Sequence, residues 1–336
     1  VHPSDIGMFV PALSNFNENI NINSSFYSNG EKRHVMDRLY VYSDNRDVFL
    51  DFNGGFTQGN DSVKNSFYAE INELVINGNA VKRIIKYFKP GKIPEVISRL
   101  GTANLRGRIS GSENEIYNSL SIATSIGNVK TNFTMYRETD SNKNSFSGSV
   151  VSDRIKLGRL LANNMLGETS FNVNFKGLTY NNRNLPESYV KGNIKYIDIK
   201  GYRYHNIMMD GKYESGGFDG NISLDDNNAR IRVDGSFKTA GNTPVFNLTA
   251  KVDSFRPDNL KLTDKYVNTA YSLRLGADFA GRTIDGIKGK ISSDSLRAES
   301  ADEEYDYFLP SLSLVAETED NIKSIRIKSD FINGEV

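Results

Sequence analysis

Ala229-Arg230-Ile231-Arg232-Val233-Asp234-Gly235 and Phe246-Asn247-Leu248-Thr249-Ala250-Lys251-Val252 alternate apolar and polar side chains without a break. Successive side chains of an extended strand point to opposite faces, so each run has one dry face and one wet one. The pattern extends over the whole stretch from Lys191 to Val252, where Ile207/Met209 and Ile222/Leu224 form further one-sided pairs. Turn-forming clusters punctuate it: Asp210-Gly211, Ser215-Gly216-Gly217, Asp225-Asp226-Asn227-Asn228 and Ala240-Gly241-Asn242. Gly, Asn and Asp tolerate the backbone of tight turns, so the spacing predicts antiparallel strands that follow one another in sequence order.

The same period of two appears on either side. Leu39 and Val41, then Val48, Leu50 and Phe52, alternate with polar partners, as do Asn132 to Glu138 and Phe171 to Phe175. Two patches read as helix. Val81, Ile84, Ile85 and Phe88 recur at helical spacing before Pro90-Gly91. Leu157, Leu160, Leu161 and Met165 do so after Ser152-Asp153, with Gly167 as the stop. Phe-x-Pro recurs at Phe9-Pro11, Phe88-Pro90, Phe255-Pro257 and Phe308-Pro310. It reads as a bend feeding a meander of strands, a degenerate module stitched along one sheet. The expected modules cover about 1–70, 71–150, 151–250 and 251–336.

Composition supports a sheet with one dry face. Of 336 residues 38% are hydrophobic, less than a double-layered core of this length would use. Lys plus Arg equals Asp plus Glu at 41 each, which excludes the basic excess of a nucleic-acid partner. With no Cys, disulfides and thiol chemistry are excluded. No apolar run reaches the roughly 20 residues of a membrane-spanning helix, and Val1 to Val10 show no targeting signal. The chain ends within the strand-like pattern Ile325 to Phe331, which implies a piece of a longer protein.

Catalytic and metal chemistry find no foothold. His2, His34 and His205 stand far apart and read as sheet-face or surface residues. Asp225-Asp226-Asn227-Asn228 lacks the Gly and distal Glu of a calcium loop and reads as a turn. The cluster Glu299, Asp302, Glu303, Glu304 and Asp306 reads as a solvated loop. No Gly-rich phosphate loop and no G-x-S-x-G occurs, so the expectation is a non-enzyme with no cofactor and no metal. Lys82, Arg83, Lys86 and Lys89 make the Val81–Phe88 patch basic and amphipathic, which suits a plug at a sheet end better than a membrane-surface helix.

What remains is the apolar stripe. Ile207, Met209, Ile222, Leu224, Ile231, Val233, Phe246 and Leu248 are the candidate lining residues. Two sheets of a sandwich would bury the stripe between them; a single curled sheet would leave it as an open trough for lipid chains. Periodicity is the same in both, and the long succession of short turns favours the trough. A transmembrane barrel would show aromatic girdles, and the chain has no Trp.

Gly201-Tyr202-Arg203-Tyr204-His205-Asn206-Ile207, followed by Asp210-Gly211, Gly217-Phe218-Asp219-Gly220, Leu224-Asp225-Asp226-Asn227 and Val233-Asp234-Gly235, form a distinctive series. Together they resemble TamB-like proteins, the inner-membrane subunits of the translocation and assembly module, of the Bacteroidetes type. The segments Pro94–Gly111, Ile155–Gly177 and Val252–Leu262 resemble the same family, so the similarity runs along nearly the whole chain in order. That family sits within the AsmA-like, bridge-like lipid-transfer superfamily. The resemblance implies an all-β, taco-shaped groove in the periplasm, with the full-length protein anchored in the inner membrane. It also implies a partner barrel of the BamA/TamA type in the outer membrane, reached through segments outside this chain. The work implied is phospholipid movement to the outer membrane and support of outer-membrane protein assembly. The alternative is a β-sandwich binding or adhesin module recognising protein or glycan.

The physics of a trough is simple. Exposing a sixteen-carbon tail to water costs on the order of 12 kcal/mol at ~0.8 kcal/mol per CH₂. A furrow of Ile, Val, Leu, Phe and Met removes that barrier without any deep site. Roughly twenty strands at ~4.8 Å would give a trough on the order of 100 Å long.

Overall fold

The computed structural model describes residues 19–30, 32–60, 64–78, 80, 99–138, 143–180, 187–239, 243–282, 286, 288–300, 305–319 and 322–335. Of these residues, 77% lie in strands. The chain is all-β, an antiparallel meander, as the alternation requires. It divides into two compact units, Val1–Phe171 and Asn172–Val336.

In the first unit the strands are β1 Ile20–Asn29, β2 Arg33–Ser43, β3 Val48–Thr57, β4 Ser66–Ile76, β5 Ala103–Ser112, β6 Glu115–Thr124, β7 Gly127–Arg137 and β8 Lys143–Lys156. The unit boundary falls within β9, Leu166–Tyr180. The second unit continues with β10 Glu187–Ile199, β11 Tyr202–Glu214, β12 Gly217–Asp226, β13 Ala229–Lys238, β14 Val245–Phe255 and β15 Thr269–Ala280. It ends with β16 Lys288–Ser300, β17 Asp306–Glu319, β18 Ile322–Ser329 and β19 Asn333–Glu335. From β1 to β8 and from β10 to β19, each strand pairs antiparallel with the next in sequence. Among the described residues neither unit closes into a barrel.

Register turns the alternation into continuous rows. In the first unit Ile22, Val41, Leu50, Leu74, Leu105, Ile122 and Val129 stand directly opposite one another on seven consecutive strands. Directly paired residues share a face, so the row is one apolar line across the ladder. The buried core is small: among the described residues the buried apolar ones are Val35, Ala80, Ile126, Ile155, Ala229, Leu260, Ala277 and Ala316, half of them alanines. Within each unit, among the described residues, no second layer covers the apolar rows, and their larger side chains stay half-exposed.

Bulges and glycines bend these ladders. Registers shift between Met36 and Leu39, Ile71 and Leu74, and Val252 and Phe255, and each extra residue kinks its strand. Gly235 (φ +146) sits where a Cβ would come within 2.2 Å of the Asn247 carbonyl oxygen. Only glycine permits that backbone and that approach.

Four local expectations change. Asp210-Gly211 is no turn; it lies inside β11, with Gly211 opposite Gly220. Its Cβ would meet the Asp219 carbonyl and the Phe218 ring, each at 2.5 Å, so this glycine serves strand approach. The second helical patch shrinks to α1, Leu157–Leu161, with Lys156 at its N-terminus and Ala162 in a left-handed conformation ending it. Ser152 does not cap it: the strand β8 runs on to Lys156, and the Ser152 hydroxyl donates to the Asn128 carbonyl at 2.7 Å. Gly167 lies in β9, and a Cβ on Gly158 would stand 2.0 Å from the Leu166 carbonyl, so the returning strand cuts the helix short. Phe308-Pro310 is not a bend either. It lies within β17, where Pro310, with no N–H to give, faces the irregularity at Ser295 (φ +62). Finally, the hydrogen-bonded run Ile325 to Phe331 breaks at Ser329, whose hydroxyl accepts from the N–H groups of Phe331 and Ile332 in the turn to β19.

Phe255-Pro257 does end β14 in a bend, and β15 follows from Thr269. Phe9-Pro11, the Val81–Phe88 helix with Phe88-Pro90, and the turn at Ala240-Gly241-Asn242 lie outside the described residues.

Candidate functional site: a laddered apolar face

All eight candidate lining residues fall on one face of the second unit. Ile207 stands opposite Leu224, Leu224 opposite Ile231 and Ile231 opposite Val252. The adjacent row runs Met209, Ile222, Val233, Ala250, Leu275. Ile194 and Leu273 extend the first row to six strands. Leu248 pairs with Gly235 and Ala277, and Phe246 with Phe237 and Phe279. None of the eight is buried, and Ile222 is 39% exposed.

The rows differ in chemistry along the strand direction. Two are aliphatic. The next is largely side-chain-free, with Gly211, Gly220 and Gly235 opposite one another on three strands. The outermost is aromatic: Tyr213, Phe218, Phe237, Phe246 and Phe279 follow in register on five consecutive strands. Phe246 stacks on Phe279 with centroids 4.7 Å apart and planes at 19°, and lies 4.9 Å from Phe237. Phe246, with a ring on either side, turns its edge and not its faces to the open side.

The opposite face is polar. Arg232, between Ile231 and Val233, pairs with Ser223 and Lys251 and is exposed. Lys191 and Asp210, direct ladder partners, form an ion pair at 3.0 Å. Hydrogen bonds from Tyr189 and then Lys191 hold the Asp210 carboxyl below its ordinary value and raise the Tyr189 hydroxyl and the Lys191 ammonium. In the first unit Arg106 and Asn104 likewise hold Glu73 low by hydrogen bonds. Tyr40, Tyr42 and Phe49 gather on that unit's polar face around a depression of about 350 Å³, with Arg38 stacked 3.7 Å over the Tyr40 ring.

One cluster escaped the sequence reading. Asp226 ends β12 with its side chain fully buried. It accepts from the Tyr202 hydroxyl at 2.5 Å, from the His205 N–H at 3.0 Å and from the Asn228 N–H at 3.0 Å, with the His205 ring Nδ1 at 3.2 Å. Burial alone would raise its pKa; the converging donors outweigh burial and lower it. Burial, then the bond to Asp226, raises the Tyr202 hydroxyl. Asn259 donates to the Asn228 side chain and Lys261 to the Gly201 carbonyl, so the 256–268 loop is tied over this end of the strands with Leu260 wholly buried. The signal was present as Gly201-Tyr202-Arg203-Tyr204 and Asp225-Asp226-Asn227-Asn228, but two turns 24 residues apart give no sign in sequence that they meet. Asp225-Asp226-Asn227-Asn228 does form the β12–β13 turn, while Arg230 pairs with Asp225 at 3.2 Å.

His34 stacks on Phe26, His205 is half-exposed, and His2 lies outside the described residues. Of the acidic cluster, Glu299 pairs with Arg297 within β16 at 2.8 Å and Asp306 pairs with it from β17 at 2.6 Å; Asp302, Glu303 and Glu304 are outside the described residues. Among the described residues no group of three or more His, Asp or Glu converges on a possible metal position, and no helix is long and apolar enough to cross a membrane. No family model, no curated protein and no solved structure matches this chain.

Proposed function

We propose that this chain is a non-enzymatic segment of a lipid conduit, whose laddered apolar face shields acyl chains during phospholipid transfer. What carries the reading is that in-register rows of large apolar side chains remain half-exposed, with no second sheet over them among the described residues of the second unit. The row from Ile194 to Leu273 crosses five strand spacings, roughly 24 Å. That exceeds the ~15 Å that chains fill in one leaflet, so a tail lying along the row stays covered while it slides. Within the aromatic row Phe246 lies between the Phe237 and Phe279 rings, so at that position hydrocarbon is favoured over a sugar, which stacks on an exposed ring face. The resemblance to TamB-like proteins supplies the setting of the proposal: the periplasm, an inner-membrane anchor elsewhere in the protein, and a BamA/TamA-type outer-membrane barrel as partner.

A second reading, a binding module, draws on the Tyr40, Tyr42 and Phe49 cluster on the polar face of the first unit. One experiment separates them. A photocrosslinking residue at Leu224 or Ile231 captures phospholipid in cells, while one at Arg232, on the opposite face, does not. Ile231→Asp removes capture and leaves the chain folded, since a half-exposed site lets the new carboxylate reach water. A sandwich-core residue would instead lose several kcal/mol on burying that charge. An unfolded Ile231→Asp variant with no adduct at either apolar position would end the conduit reading.

A further inference from the structure

Among the described residues the apolar face carries a buried hydroxyl with no partner. Ser293, in β16, stands opposite Leu275 on one side and Leu312 on the other. It thus continues the row Met209, Ile222, Val233, Ala250, Leu275 as a hydroxyl among hydrocarbon. The next row over on the same face is Ala277, Ile291, Leu314. Ser293 is 7% exposed, and its Oγ has no hydrogen-bond partner. Other buried hydroxyls are occupied: Ser43 bonds Asn45, Ser152 the Asn128 carbonyl, Ser170 the Ser152 carbonyl, Ser329 the Ile332 turn and Thr269 the Tyr305 hydroxyl. A lone buried donor disfavours the fold unless something satisfies it in the working state.

We propose that the Ser293 hydroxyl is the polar anchor of the apolar face, donating to the carbonyl oxygen of an ester-linked acyl chain. This rests on the conduit reading above and adds the ligand class: acyl esters rather than hydrocarbon in general. A saturated chain matches the aliphatic row on either side and offers nothing to the hydroxyl. An ester places one carbonyl acceptor at the head of such a chain, where the serine can meet it while the tail runs on toward Leu275 and Val233. Leu275 and Leu312 flank the hydroxyl, so the ligand reaches it by displacing a leucine, which keeps the donor dry until it is used. A hydrogen bond made in that dry surrounding gives a preference of about three- to tenfold, enough to register a lipid without trapping it.

The test offers the protein mixed vesicles holding equal amounts of a diacyl phosphatidylcholine and its dialkyl ether analogue of the same chain length, which lacks the carbonyl. Bound lipid is then counted by mass spectrometry. The wild-type chain loads the ester about three- to tenfold over the ether. Ser293→Ala loads both equally, and Ser293→Thr, which keeps a hydroxyl, restores the preference. Ser293→Ala also melts at or above the wild-type temperature, because it removes an unsatisfied group. Equal loading of both lipids by the wild type, or a preference that survives Ser293→Ala, overturns the anchor while leaving the conduit standing. A large drop in the melting temperature of Ser293→Ala overturns it as well, by revealing a structural bond. Loading of neither lipid overturns both.

Discussion

The hydroxyl of Tyr202 donates to Oδ1 of Asp226 at 2.5 Å, fastening the start of β11 to the end of β12. Around that bond the backbone N–H groups of His205 and Asn228 converge on the same carboxylate.

Asp226→Ala leaves these donors without their charged acceptor. The expected cost is about 2–4 kcal/mol in urea unfolding at neutral pH. The folded pKa of Asp226 is lowered, so its contribution is present in full above the ordinary aspartate range of ~3.9 and fades as the pH falls through the lower folded value. The stability gap between wild type and Asp226→Asn should therefore narrow on acidification below about pH 4. A gap that stays constant from neutral to strongly acid pH would show that the carboxylate charge is not what these donors use.

Gly235→Ala tests the glycine row. At φ +146, with a Cβ 2.2 Å from the Asn247 oxygen, alanine must distort either its own backbone or the pairing of β13 with β14. The expected loss is about 3 kcal/mol. Gly334→Ala is the control, because nothing lies within 4 Å of its Cβ; it should change stability by less than ~0.5 kcal/mol. Thermal melts of the two variants side by side decide the matter.

Phe246 stacks between Phe237 and Phe279, so Phe246→Ala removes two ring contacts at once. The expected destabilisation is about 2–3 kcal/mol, and Phe246→Leu should recover about half of it, the share due to burial and not to ring stacking. A double-mutant cycle with Phe279 should give a coupling of about 0.5–1.5 kcal/mol. No coupling would mean that the aromatic row is a set of independent side chains.

Much of the architecture was legible because a period of two is a local signal that does not depend on which residues fill the turns. Ile231-Arg232-Val233 states its two faces outright, and once those faces are assigned the antiparallel neighbours follow. Helical spacing was a poorer guide. Leu157, Leu160, Leu161 and Met165 satisfy a helix over two turns, yet Ala162 turns left-handed and Met165 is 55% exposed in the turn beyond it. Asp210-Gly211 misled for a related reason: glycine serves turns and close strand approach equally, and the residues that separate the two uses, Asp219 and Gly220 here, sit on another strand.

The sequence by itself determined which side chains share a face, since alternation is a local property of an extended backbone and needs no knowledge of partners. It also determined the order of most strands from β1 to β8 and from β10 to β19, because short turns leave a strand no neighbour but the next; across the longer 77–102 and 256–268 connections the pairing was decided by the structure. Tertiary structure alone decided the register that sets Ile222 against Val233 and Phe246 against Phe279, the convergence of Tyr202, His205 and Asn228 on Asp226, and the isolation of the Ser293 hydroxyl between Leu275 and Leu312. Each of these is fixed only when neighbouring strands meet, where a shift of one residue would send every side chain to the other face.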